Sequence, residues 1–127
     1  MGEWRRRLII IKKGGNKMLG NEYQELAART IRKNLYDYEV EQHALHGMVG
    51  EIGEIHSIYQ KVYQDHAFDE THLKLEVGDL LWFIAEFCTA HGWDLDEIME
   101  LNINKLMNRY PDGFDEEKSK KRMKGDI

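Results

Sequence analysis

From Asn21 onward, apolar residues recur at intervals of three and four, the period of a helix that buries one face. The pattern predicts four helices. The first spans about Glu22 to Asn34, with Asn21 as its N-cap and Tyr23, Leu26, Ala27 and Ile31 on one side. A second, about Glu39 to Gln64, carries the stripe Leu45, Met48, Ile52, Ile55, Tyr59 and Val62. The polar break Asp65-His66-Ala67-Phe68 ends it. Asp69 then caps a third helix, about Glu70 to Ala90, with Leu73, Val77, Leu80, Ile84 and Phe87 as its apolar face. Gly92 stands where a left-handed C-terminal cap is wanted, and Asp94 with Glu97 has the spacing of a capping box for a fourth helix, about Leu95 to Arg109. Pro111-Asp112-Gly113 stops that helix. Short joins between amphipathic helices predict an all-α fold, a small antiparallel four-helix bundle.

The first 17 residues do not share this pattern. They carry a net charge of +5, against −10 for the rest of a chain whose total is −5. Arg5-Arg6-Arg7 followed by Leu8 to Ile11 is too short an apolar run for a signal peptide, and no small-residue cleavage site follows. Lys13-Gly14-Gly15-Asn16-Lys17 is what a purine-rich bacterial ribosome-binding sequence encodes when translated in frame. Residues 1–17 are therefore expected to be a poorly folding extension ahead of a natural start at Met18. Residues 18–114 form the expected domain, and residues 115–127 a charged tail.

An acidic body is a poor partner for duplex nucleic acid. No stretch of about 18 apolar residues exists to cross a membrane. The single cysteine, Cys88, in an apolar stretch, excludes an intramolecular disulfide and suits a reducing cytoplasm.

The chemistry concentrates in two acidic pairs. Glu51-x-x-Glu54 lies on the second helix and Glu76-x-x-Asp79 on the third, with 21 residues between Glu54 and Glu76. Residues three apart share a helix face, so each pair borders its apolar stripe and the same core. One such pair would be an ordinary solvated face; two beside a common core are a different matter. Two like charges about 5 Å apart repel by roughly 3 kcal/mol at an effective dielectric near 20. Convergence of four requires raised pKa values or hard divalent cations, and all-oxygen ligation suits Mg²⁺ or Mn²⁺. Gly53 and Gly78, one in each motif, suggest close approach of a helix or ligand.

The fourth helix places Asn102, Lys105 and Arg109 at i, i+3 and i+7, a hydrogen-bonder and two cations on one face, suited to a phosphate chain. These motifs, with Leu75-Glu76-Val77-Gly78-Asp79-Leu80-Leu81-Trp82 and Arg109-Tyr110-Pro111-Asp112-Gly113-Phe114, give a chain that resembles the MazG-like all-α nucleoside triphosphate pyrophosphohydrolases over about Asn21 to Phe114. The resemblance implies Mg²⁺-dependent hydrolysis of (deoxy)nucleoside triphosphates to monophosphate and pyrophosphate, by metal-activated water attack at the α-phosphorus, in a homodimer or a dimer of dimers. It implies metal ligation by Glu51, Glu54, Glu76 and Asp79, with Glu51 or Glu54 also serving as the proton acceptor. It assigns phosphate contacts to Lys61, Lys105 and Arg109. Many members open the first motif with two adjacent acids, whereas Gly50 precedes Glu51 here. Trp82, Phe83, Tyr59 and the pair His43 and His46 are candidates for stacking on a base, although aromatic residues at helical spacing are more often core.

Two other classes compete. A di-iron carboxylate bundle needs Glu-x-x-His on two helices, and none of the six histidines has a glutamate three residues before it. A helical interaction module with solvated acidic faces would show no effect of divalent cations on stability. Within the resembled fold, a hydrolase restricted to dUTP, dCTP or phosphoribosyl-ATP is a further alternative.

Overall fold

A computed structural model describes residues 18–122; the expectation for residues 1–17 lies outside them. The described residues contain five helices and no strand: α1 (Gly20–Ala28), α2 (Asp37–Val62), α3 (Glu70–His91), α4 (Leu95–Arg109) and α5 (Glu116–Lys120). The described residues divide into two compact units, with the boundary between Leu95 and Asp96.

In the first unit, α2 and α3 pack along each other and α1 packs on α3. The α2–α3 pairing is antiparallel: Glu41 meets His91, His43 meets Glu86, Gly47 meets Phe83, and Glu51 meets Glu76 and Asp79. The caps of α3 are those expected. Asp69 accepts from the His72 amide at 2.9 Å, and Gly92 takes φ +69° while the Trp93 amide reaches back to the Cys88 carbonyl at 2.9 Å. Gln24 ties α1 to the turn that follows, donating to the Trp93 carbonyl at 2.7 Å and accepting from the Leu95 amide at 2.7 Å.

Three expectations change. The first helix starts at Gly20 with Leu19 rather than Asn21 in the cap position, and it stops at Ala28, six residues short of Asn34. Thr30 turns its hydroxyl onto the Ala27 carbonyl at 2.8 Å and Asn34 adopts φ +66°, so the β-branched Thr30-Ile31 step leaves the helix instead of extending it. The tail also contains structure: Asp115 caps α5 by accepting from the amides of Glu117 and Lys118.

The core is the third change. Among the described residues its buried apolar side chains in the first unit are Ala27, Val40, Ala44, Ile58, Ala85, Cys88 and Leu95, mostly small. The larger stripe residues are half-buried, and Ile52, Tyr59 and Val77 are each about half exposed, at 47%, 51% and 50%. Close packing selects the small side: a Cβ at Gly47 would lie inside the Phe83 ring, whereas one at Gly53 or Gly78 would meet nothing. The glycine that permits helix contact is therefore Gly47, not the two in the acidic motifs.

Candidate functional site

Where α2 passes α3, ligand atoms of Glu51, Glu76 and Asp79 all lie within 4.8 Å of one another. The i, i+3 spacing on α3 puts two of these carboxylates on one face, and the antiparallel register brings the third from α2. Glu54, one turn further along α2, is exposed and stands outside this group of three, although its charge still acts on Glu51.

One oxygen of the cluster has no protein partner. Glu51 Oε2 is buried and without a hydrogen bond among the described residues. Burial, then the hydrogen bond shared with Glu76, then the charges of Glu76, Asp79 and Glu54, push the Glu51 carboxyl up to about 7. Glu76 moves the other way. The hydrogen bond from Glu51 holds its carboxyl below the usual range, with help from His72, whose Nε2 lies 2.8 Å from Glu76 Oε1. Glu51 and Glu76 thus titrate as a coupled pair, their shared hydrogen bond raising the one and lowering the other.

Two residues that the sequence did not single out complete the surroundings. His72 is four residues before Glu76, a spacing that was visible; its position is fixed in turn by Asp69 at the start of α3. Tyr23 of α1 has its phenol pushed up by burial and then by the charge of Asp79, so it lies within electrostatic reach of that acid. Nothing in the local pattern distinguishes Tyr23 from a core aromatic.

The other expected residues divide between the units. Lys61 lies exposed in the last turn of α2. Helix geometry puts it two turns, about 10 Å, beyond Glu54 on nearly the same face. Trp82 donates its indole N–H to Thr30 Oγ1 at 2.8 Å and stands edge-on to Phe83, with ring centroids 5.0 Å apart. His43 is engaged by Glu86: Nδ1 lies 2.7 Å from the carboxyl of Glu86, which is 2% exposed, so the imidazole gives a buried polar group a hydrogen-bond partner. His46 and Tyr59 are exposed, Tyr59 against Phe68 at 5.4 Å. Cys88 is buried, which raises its thiol pKa as for a packing residue. In the second unit, Asn102 and Lys105 are exposed on α4, and the Arg109 guanidinium lies 5.8 Å from the centre of the Tyr110 ring. Lys105 and Arg109 line one cleft, and Asn102 is not part of its lining.

The three-carboxylate cluster fits a hard divalent cation. Its donors are all oxygen, one is buried and unpartnered among the described residues, and the mutual repulsion of the carboxylates is what a cation would relieve. A buried carboxylate oxygen without a partner among the described residues is not what a solvated acidic face presents.

Comparison with known proteins agrees with this chemistry. Residues 16–114 match the MazG nucleotide pyrophosphohydrolase domain. The Gene 37 protein of Mycobacterium phage L5 is 31% identical over 68 residues, a stretch covering 50% of this chain and 60% of that protein. No solved structure matches. The domain match spans most of the chain and includes both acidic pairs and the Asn102 to Phe114 stretch, so the chain belongs to the MazG nucleotide pyrophosphohydrolase family.

Proposed function

We propose that this chain hydrolyses (deoxy)nucleoside triphosphates to the monophosphate and pyrophosphate, with Mg²⁺ as the natural cofactor and Mn²⁺ able to replace it. The observation that carries the reading is the dry, unpartnered Oε2 of Glu51 inside a cluster of three carboxylates. Glu51, Glu76 and Asp79 would hold the cation; its binding neutralises phosphate charge and makes water more acidic. His72 orients Glu76 from behind through the 2.8 Å contact, as outer partners of ligands do.

Glu54, exposed one turn from the cluster, is the carboxylate left to accept a proton from the attacking water, since Glu51 is occupied as a ligand. Lys61, Lys105 and Arg109 bind the β and γ phosphates and stabilise the leaving pyrophosphate, and Asn102 adds a neutral hydrogen bond. Trp82, anchored through Thr30, offers an aromatic surface to the base. No described residue has the surroundings of a covalent nucleophile, so water attacks phosphorus directly.

The chain works as a homodimer or a dimer of dimers in this reading, and in the cytoplasm. Ile52, Tyr59, Val62, Val77 and Leu81 expose apolar surface on α2 and α3 that a second copy would cover. The family match does not separate a general triphosphate hydrolase from one restricted to dUTP, dCTP or phosphoribosyl-ATP, which a substrate screen scored by pyrophosphate release resolves.

Hydrolysis in ¹⁸O-labelled water tests the reaction. The label should enter the nucleoside monophosphate and not the pyrophosphate. Label in pyrophosphate would mean attack at the β-phosphorus, and orthophosphate with a diphosphate product would mean cleavage at γ. Either result removes the assignment of Lys61, Lys105 and Arg109 to the leaving group.

A further inference from the structure

The family match ends at residue 114, yet the residues beyond it take part in a cleft. An open cleft of about 600 Å³ within the second unit is lined from α4 by Lys105, Asn108 and Arg109, and from the C-terminal segment by Lys118, Lys121 and Arg122. Asp115 and Glu117 also line it, so among the described residues five cations and two carboxylates border the cleft. Both acids have partners at α5 itself. Asp115 Oδ1 is engaged by the amides of Glu117 and Lys118 at 2.8 and 3.2 Å as the cap of α5. Glu117 meets Lys121 at 3.9 Å with both side chains mostly in water, an ion pair worth little.

Like charges gathered around a concavity raise its potential and attract an anion. We propose that this cleft binds a condensed phosphate, a diphosphate or triphosphate, and that Lys118, Lys121 and Arg122 supply cations which the family domain itself does not include. The ligand would be the triphosphate chain of the substrate or the released pyrophosphate, so the identity of the ligand rests on the proposed hydrolase activity, although the binding does not. Arginine forks and lysine ammonium groups together match the several oxygens of such a chain. A nucleic acid strand fits less well. The volume is that of a small-ligand site, no aromatic side chain among the described residues lines the cleft to stack a base, and two carboxylates would meet the polymer backbone.

The test is calorimetric titration of the full chain in EDTA, where the carboxylate cluster has no cation through which to hold phosphate. The probes are inorganic tripolyphosphate, pyrophosphate, sulfate and a nucleoside monophosphate. Tripolyphosphate and pyrophosphate should bind at least about 10-fold more tightly than sulfate or the monophosphate, and more weakly as NaCl rises. The double substitution Lys118→Gln with Lys121→Gln should weaken tripolyphosphate by about 10-fold or more and raise KM for a triphosphate substrate; Arg122→Gln alone should act in the same direction should the double variant fold poorly. No binding of tripolyphosphate at about 1 mM, equal affinity for sulfate, wild-type affinity in folded variants, or tighter binding of a single-stranded oligonucleotide would each overturn the proposal. Failure of the two readings is distinguishable. Tripolyphosphate binding that the substitutions weaken, in a protein releasing no pyrophosphate from any nucleotide, would keep the cleft and reject the hydrolase; pyrophosphate release with unaltered tripolyphosphate binding in the variants would do the reverse.

Discussion

Replacing Glu51 by Gln in the cation-free protein tests the electrostatic account of the cluster most directly. The Glu51 carboxyl is raised from 4.5 to about 7, chiefly by burial and by its contact with Glu76. A group raised in this way favours the folded state below its unfolded pKa and loses that contribution as pH climbs through the folded value. The window is therefore pH 4.5 to 7, with the loss complete by about pH 8. At 1.36 kcal/mol per pKa unit the whole shift would correspond to roughly 3 kcal/mol. Solvent reaches the rest of this half-buried side chain, and screening reduces the expected effect to about 1–2 kcal/mol. Glutamine keeps the shape and the hydrogen-bonding capacity but cannot ionise. In urea denaturation with EDTA, Glu51→Gln should exceed the wild type by about 1–2 kcal/mol at pH 8, and the two should converge near pH 5. With Mg²⁺ and nucleotide added the order should reverse, because only the wild type gains from binding. Equal stability of the two proteins at pH 8, or a constant difference between pH 5 and 8, would refute the reasoning.

Activity separates the roles of the acids: Glu51→Gln, Glu76→Gln and Asp79→Asn should each lower pyrophosphate release by about 100-fold or more and abolish Mg²⁺ stabilisation in melting curves, whereas Glu54→Gln should lose activity comparably while keeping that stabilisation. Among the glycines, Gly47→Ala should destabilise by about 1–3 kcal/mol because its methyl enters the Phe83 ring. Gly53→Ala and Gly78→Ala meet open space in the single chain and should gain up to about 1 kcal/mol of helix propensity; a loss measured in chemical denaturation would instead indicate that another copy packs on that face. Light scattering at micromolar concentration should return at least twice the 15.0 kDa chain mass, and a monomer would reject the self-association argued from the exposed faces of α2 and α3.

Features that depend on neighbours a few residues apart were legible in the sequence alone. The span of α4, the Asp69 and Gly92 caps of α3, and the shared face of Glu76 and Asp79 all follow from helical spacing, from capping chemistry and from the freedom of glycine at positive φ. The periodicity also announced that α2 and α3 carry apolar faces. It could not say which side would be buried, because both helices have apolar residues around much of their circumference. Tertiary packing decided that: α2 and α3 pack on the side carrying Gly47, Ala44, Ala85 and Cys88, where small side chains let backbones approach, and the larger Ile52, Tyr59 and Val77 were left outside. The same register brought ligand atoms of Glu51, Glu76 and Asp79 within 4.8 Å of one another with Glu54 outside that group, put Tyr23 of α1 within electrostatic reach of Asp79, and matched the buried Glu86 with His43. Each of these pairings joins positions 25 or more apart. Side chains that far apart meet only through the crossing of helices, and the distance between two carboxylates, on which both their protonation and their capacity for a cation depend, is a property of that crossing and not of any segment of the chain.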